Sequence, residues 1–203
     1  MYNAHQVTRD FESALCEYTG AQYAVAVNSC TMALLLAVAW HQRTMKLFEK
    51  AVEIPKRTYV SVPQSIIHAG CCPTYRDEEW VGAYQLKPLP VWDSARLFTG
   101  GMYTPGQMQC VSFHASKTLG LEQGGAILHD NLAADFWFRI ARFDGRTEGV
   151  APKDDRFDLV GWHCYMNPST AAQGLMRLGV LPQHNEPLPN DEYPDLSKIG
   201  VFR

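Results

Sequence analysis

The chain has 203 residues, 46% of them apolar, and a net charge of −3 with both signs interspersed. That much apolar material supports a buried core and excludes global disorder, and the length suits one sizeable domain better than two. No block of Lys and Arg marks a nucleic-acid surface, and the longest apolar stretch, 33–40, is far too short to span a bilayer.

The elements are expected as follows, in chain order. Phe11, Leu15 and Tyr18 recur at helical spacing, with Gly20 as the stop. Residues 23–27 read as a short buried strand. Asn28-Ser29-Cys30-Thr31 is turn and cap chemistry opening an apolar helix over 32–40. A strand over 51–54 ends at Pro55, and a helix over 60–68 closes at Gly70. Strand-like runs follow at 71–75, 89–92, 109–113 and 125–129, with a helix over 132–143. Asn167-Pro168 is an N-cap with a first-turn proline, opening a helix to Leu178 with Gly179 as its stop. Strands alternating with helices argue an α/β fold with a mostly parallel sheet. The Pro-, Asn- and Asp-rich segment 182–203 reads as an extended or mobile C-terminal tail on a domain over 1–181.

Residues 1–5 lack the basic-then-apolar pattern of a signal peptide. Six cysteines occur without a C-x-x-C pair, most of them in apolar runs, which implies buried free thiols and a cytoplasmic setting. The seven histidines show no paired-ligand spacing, so no metal site is expected.

Three features bear on chemistry. The junction at Ser29-Cys30-Thr31 places free backbone N–H groups at a helix start, which suits an anion. Asp93 directly follows an apolar run, where α/β sheets place ligands. Lys117 ends Ser112-Phe-His-Ala-Ser-Lys117, shortly before Gly124-Gly125. Singly, these read first as a cap, a turn residue and a surface amine. Together, a phosphate cradle, a carboxylate and a lysine are what pyridoxal 5'-phosphate (PLP) needs.

Five segments in this order are similar to the DegT/DnrJ/EryC1/StrS aminotransferases, which act on nucleotide-linked keto-sugars. They are 11–29, 55–70, Trp92-Asp93-Ser-Ala95, 111–125 and 161–178. The resemblance implies the three-layer large domain of the fold type I PLP enzymes. It implies that Lys117 forms the Schiff base and later moves the proton, and that Asp93 pairs with the pyridine nitrogen. Tyr59 would stack on the ring. Ser29, Cys30, Thr31 and Ser112 would hold the phosphate, with Ala95, Arg96 and His114 completing the cofactor site. The segment around His163 would reach a partner's phosphate, which implies a homodimer with shared sites. The substrates implied are a small-molecule amino donor and a keto acceptor.

The sequence also departs from the family pattern. Cys30 stands where the family has glycine, and Arg96 where a Gln or His approaches the cofactor's phenolic oxygen. His163 and Tyr165 replace an Asn and an Arg. The family has a further strand and helix between Asp77 and Pro90, and a small domain after Leu181. Decarboxylation, elimination or racemisation would use the same lysine, and a non-catalytic relative would keep the fold without it. No G-x-G-x-x-G follows a strand, which argues against a dehydrogenase. His114 is either an extra acid/base group or hydrogen-bonded packing. Arg142 and Arg146 are either anion ligands or a solvated helix end.

Overall fold

A computed structural model describes residues 5–44 and 51–202, so the reading of the extreme N-terminus lies largely outside the described residues. The first half alternates helix and strand: α1 (Gln6–Thr19), β1 (Tyr23–Val27), α2 (Cys30–Thr44), β2 (Ala51–Pro55), α3 (Ser61–His68) and β3 (Cys72–Arg76). Strands β4 (Tyr84–Leu86), β5 (Val91–Asp93), β6 (Met108–Ser112) and β7 (Gly125–His129) follow, then α4 (Leu132–Ala141) and α5 (Pro168–Leu178).

Local chemistry sets several of these boundaries. Gly20, at φ 82°, ends α1 in a left-handed cap whose N–H bonds the Cys16 carbonyl at 2.9 Å. Asn131 Oδ1 caps α4 by accepting from the Ala134 N–H at 3.0 Å, and Asn167 Oδ1 caps α5 by accepting from Ser169 at 2.9 Å. Pro168 sits in the first turn of α5, where no N–H is needed. Pro63 is tolerated in α3 for the same reason, because it falls at the third helical residue.

The main sheet runs in the order β1-β7-β6-β5-β4. A pair of backbone hydrogen bonds between Glu53 and Lys87, at 2.7 and 3.0 Å, joins β4 to the two-stranded sheet β2-β3. The expectation of a mostly parallel sheet holds for direction. Strands β1, β2, β3, β5 and β6 run one way, while β4 and β7 run the other. It does not hold for neighbours, because the two reversed strands are interposed and only β5·β6 and β2·β3 pair in parallel.

Alternating side chains feed a core on each face, which makes three layers. Val25, Val27, Cys110 and Ile127 face α2, α3 and α4. Ala24, Ala26, Val111, Ala126 and Leu128 face α1 and α5 through Phe11, Leu15, Ala171 and Leu178. Helix α2 is buried along 33–39, which explains its nearly uniform apolar sequence. Each fully buried Leu, Phe or Ile here contributes roughly 1.5–3 kcal/mol through burial.

Segment 182–202 is docked on the body, not extended into solvent. Asn185 Nδ2 donates to the Tyr18 hydroxyl at 2.8 Å, and Leu196 N–H donates to the Lys56 carbonyl at 2.8 Å. Leu196 and Phe202 are buried in short 3-10 turns. The polar composition of the segment hid these anchors. None of the six cysteines forms a disulfide; Cys72 is exposed and Cys16 partly so, while the other four are buried as expected. No described helix is long and apolar enough to cross a membrane.

Candidate active site

Because β1, β2, β5 and β6 share a direction, their carboxyl ends lie along one edge of the sheet. The reversed strands β4 and β7 begin at that edge. A cavity of about 500 Å³ opens there. Its walls include Ser29, Cys30 and Thr31 after β1, and Tyr59 after β2. They also include Asp93, Ala95 and Arg96 at the end of β5, and Ser112, His114 and Lys117 after β6. Ten of the sequence-derived site residues therefore share one cavity, whereas His163 does not line it. Its side chain is 72% exposed and bonds Asp144 Oδ2 through Nδ1 at 2.8 Å.

The anion end of the cavity is the start of α2. Ser29 Oγ accepts from the Met32 N–H at 3.2 Å and caps the helix. The amides of Cys30 and Thr31, in the first turn, have no intrahelical acceptor and are available to an anion. Thr31 Oγ1 donates to Ser61 Oγ at 2.8 Å, which ties this turn to α3. Gly125 allows the close approach: a Cβ there would lie 2.5 Å from the Cys30 nitrogen. Gly124, at φ 149°, lines the same wall in a conformation open to glycine. The Cβ of Cys30 is accommodated because its thiol turns into the core and contacts the Cys110 carbonyl at 3.6 Å.

Asp93 is buried at the opposite side. Its Oδ1 accepts from the Ala95 N–H at 3.0 Å and its Oδ2 from the Tyr84 hydroxyl at 2.8 Å. Burial raises its pKa; the hydrogen bonds from Ala95 and Tyr84 and the charges of Lys117 and Arg96 offset this only in part. Tyr84 in turn lies 2.5 Å from Thr58 Oγ1. Neither Tyr84 nor Thr58 was anticipated as a site residue. The only signal for Tyr84 was an aromatic after Gly82-Ala83 in a stretch too short to read as a strand.

Lys117 is half-buried, and its backbone N–H bonds the His114 carbonyl at 2.8 Å in the turn after β6. Burial lowers the pKa of its amine, and the nearby Arg96 charge lowers it further. His114 is exposed where it lines the cavity, and its Nδ1 accepts from the Ser116 N–H at 3.3 Å. Tyr59 is 57% exposed at the rim, with its ring open to a planar ligand.

Arg96 was expected to approach a cofactor oxygen, but its guanidinium is held by the C-terminal segment. It donates to the Pro189 carbonyl, to Asp191 Oδ2 and, through Nε, to the Tyr193 hydroxyl at 3.1 Å. Asp191, Tyr193 and Trp80 all line the cavity and were missed from sequence. Neither reading of Arg142 holds. It is buried and bonds Glu12 and the Ala26 carbonyl, while Arg139 bonds the other Glu12 oxygen at 2.7 Å.

The sequence model of the DegT/DnrJ/EryC1/StrS aminotransferase family matches residues 2–88 and 100–187. The chain belongs to this family. It is similar to the UDP-4-amino-4,6-dideoxy-N-acetyl-beta-L-altrosamine transaminase of Campylobacter jejuni, at 23% identity over 87% of this chain and 57% of that protein. Its fold is similar to that of Helicobacter pylori PseC, an aminotransferase involved in the biosynthesis of pseudoaminic acid. That match has a TM-score of 0.71 and 15% identity, and covers 88% of this chain and 63% of the other. The fold is also similar to the sugar aminotransferase CalS13 of Micromonospora echinospora, with a TM-score of 0.73 and 18% identity over 86% and 60% of the two chains. The chain thus spans about 57–63% of the length of these family members.

Two features of the cavity fit the cofactor these enzymes use. The burial of the Asp93 carboxylate is only partly offset by Lys117 and Arg96, and a protonated pyridine nitrogen would supply the further positive charge. The α2 N-terminus, kept open by Gly125, is a phosphate cradle that a Cβ at that position would fill.

Proposed function

We propose that this site binds pyridoxal 5'-phosphate and transfers an amino group from a small-molecule donor to a keto-sugar or keto-acid acceptor. The observation carrying this reading is that Lys117, Asp93 and the first turn of α2 face one cavity. Membership of an aminotransferase family favours amino transfer over decarboxylation, elimination or racemisation on the same lysine.

When bound, pyridoxal phosphate supplies an electron sink beside the substrate's amino carbon. The Cys30 and Thr31 amides and the Ser112 hydroxyl hold the phosphate. Asp93 keeps a proton on the ring nitrogen, a task its raised basicity favours. Tyr59 covers the ring from the rim. Lys117 Nζ, shifted toward the neutral amine by burial and by Arg96, would hold the cofactor and would move the proton at the substrate's amino carbon.

The working unit in this reading is a homodimer in which His163 serves the partner's phosphate. Its exposure and its position outside its own cavity support this. Residues 1–181 form the cofactor-binding domain, with 182–203 appended. Cysteines that form no disulfide, four of them buried, support a cytoplasmic setting.

Adding amino acids or amino-sugars to cofactor-loaded protein, without an acceptor, tests the reaction type. Amino transfer predicts loss of the aldehyde-form absorbance without gas release. Carbon dioxide release with the aldehyde form retained would instead identify a decarboxylase.

A further inference from the structure

Arg96 is a cation with nowhere else to go. Its side chain is only 7% exposed, and its carboxylate partner, Asp191, is 69% exposed on a surface strap. The strap is pinned at both ends. On one side, Gln183 O accepts from Gly100 N–H at 2.7 Å, and Leu188 N–H donates to the Arg96 carbonyl at 2.8 Å. On the other, Leu196 N–H donates to the Lys56 carbonyl at 2.8 Å. Between these anchors, residues 189–195 are mostly exposed, and Asp191 and Tyr193 among them line the cavity. Tyr193 lies parallel to Trp80, with centroids 6.3 Å apart, and Arg96 sits 5.7 Å from the Tyr193 ring centre.

A buried guanidinium left without an anion is costly, so Arg96 requires a carboxylate partner at all times. Asp191 meets that need from a solvent-facing strap whose nearest hold is Tyr193 stacked on Trp80 and Asn190 Nδ2 donating to the Trp80 carbonyl. An incoming carboxylate offers the same planar acceptor and satisfies Arg96 equally well. Exchange therefore keeps the buried charge paired in both states. The exchange happens on the wall shared with Lys117, where an amino group must arrive.

We propose that Arg96 recognises the carboxylate of the amino donor and that Asp191 is its built-in placeholder, displaced as the strap lifts. This deepens the amino-transfer reading of the same site and rests on it. Asp191 competes as a tethered group at high effective concentration, so a free carboxylate binds weakly until it gains a second attachment at Lys117. The strap therefore favours ligands that carry both an amine and a carboxylate.

Succinate, which has carboxylates but no amine to transfer, isolates the carboxylate step. Binding is measured by calorimetry on the protein as purified, and the strap is followed by hydrogen exchange over 188–196. In the wild type, succinate is expected to bind weakly and to increase exchange in the strap. Asp191→Asn, at an exposed position, is expected to tighten succinate roughly tenfold by removing the competitor. Arg96→Gln is expected to abolish binding, and Arg96→Lys to weaken it. Unchanged succinate affinity in Asp191→Asn, or succinate binding with the strap still protected, overturns the proposal. Inorganic phosphate binding with the same Asp191 dependence, in the absence of succinate binding, overturns the choice of a carboxylate. A parallel test for a reduced cofactor adduct on Lys117 separates the two claims. An adduct with no Asp191 effect sinks the placeholder alone, and no adduct sinks the amino-transfer reading.

Discussion

Tyr84 donates its phenolic hydrogen to the buried carboxylate of Asp93 across 2.8 Å, from a strand that pairs antiparallel with the one that ends in Asp93. The two residues sit directly opposite each other in the ladder, so the hydrogen bond follows from the register itself. Strand β4 gives Asp93 a dedicated neighbour.

Tyr84→Phe removes a bond that holds the Asp93 pKa down. The carboxyl pKa is expected to rise further, so the acid limb of the pH profile for cofactor binding moves to higher pH. The lost bond also costs about 1–2 kcal/mol of stability. A profile that does not move, measured by cofactor absorbance against pH, contradicts the positioning role of Tyr84.

Asp93→Asn separates folding from function. An acid whose folded pKa is raised binds more protons in the native state, so stability falls as pH rises from the ordinary carboxylate range to the raised value. At neutral pH the cofactor-free variant is therefore expected to be more stable than the wild type. Turnover should drop by ~100-fold or more, because a neutral amide cannot keep the ring nitrogen protonated. Thermal unfolding with and without cofactor checks both: the wild type should gain more on loading than the variant.

Glu12 joins α1 to α4 through a buried ion pair. Burial alone raises its pKa, but Arg142 and Arg139 outweigh that and hold the carboxyl below its ordinary value. The stabilisation is present above the unfolded-state value and is lost as pH falls through the folded one. Glu12→Gln removes the carboxylate that Arg139 and Arg142 share, leaving Arg139 with Asp135 and the buried Arg142 with Glu148 at 3.7 Å, and should cost roughly 3 kcal/mol at pH 7. Urea unfolding at pH 7 and pH 4 should show the gap between variant and wild type narrowing at the lower pH.

His129 acts in the same direction from the other side. Burial pushes its pKa down to about 4, so the folded state resists a proton that the unfolded chain accepts near pH 6.5. Stability is full above that range and declines as pH falls toward 4, by up to about 3 kcal/mol. His129→Leu should flatten this decline, and an unchanged slope would show that other groups control it.

The parts of this molecule legible in sequence are those where periodicity and punctuation agree. Phe11-Leu15-Tyr18 with Gly20, residues 23–27, and Asn167-Pro168 running to Gly179 all match their elements closely. Helix α2 begins at Cys30, two residues before its apolar run, because the turn continues directly into helix. Strand β4 was not legible: three residues give no alternation, and its antiparallel partner is set by tertiary pairing. The convergence of Lys117, Asp93 and Ser29-Cys30-Thr31 was legible from their order along strands of shared direction. Tyr84, Trp80 and Asp191 were not, since each reaches the cavity by a contact that no local pattern encodes. The docking of 182–202 was hidden for the same reason, because a few buried side chains and backbone bonds anchor an otherwise polar segment.

Borohydride reduction of the protein with pyridoxal phosphate, followed by peptide mass spectrometry, tests the central claim most directly. Reduction fixes the cofactor to the amine that holds it. The account predicts one dominant adduct, on Lys117, lost in Lys117→Ala and diminished in Gly125→Val, whose side chain would crowd the Cys30 amide. A protein that takes up no cofactor, or one labelled on other lysines while Lys117 stays unmodified, would contradict it.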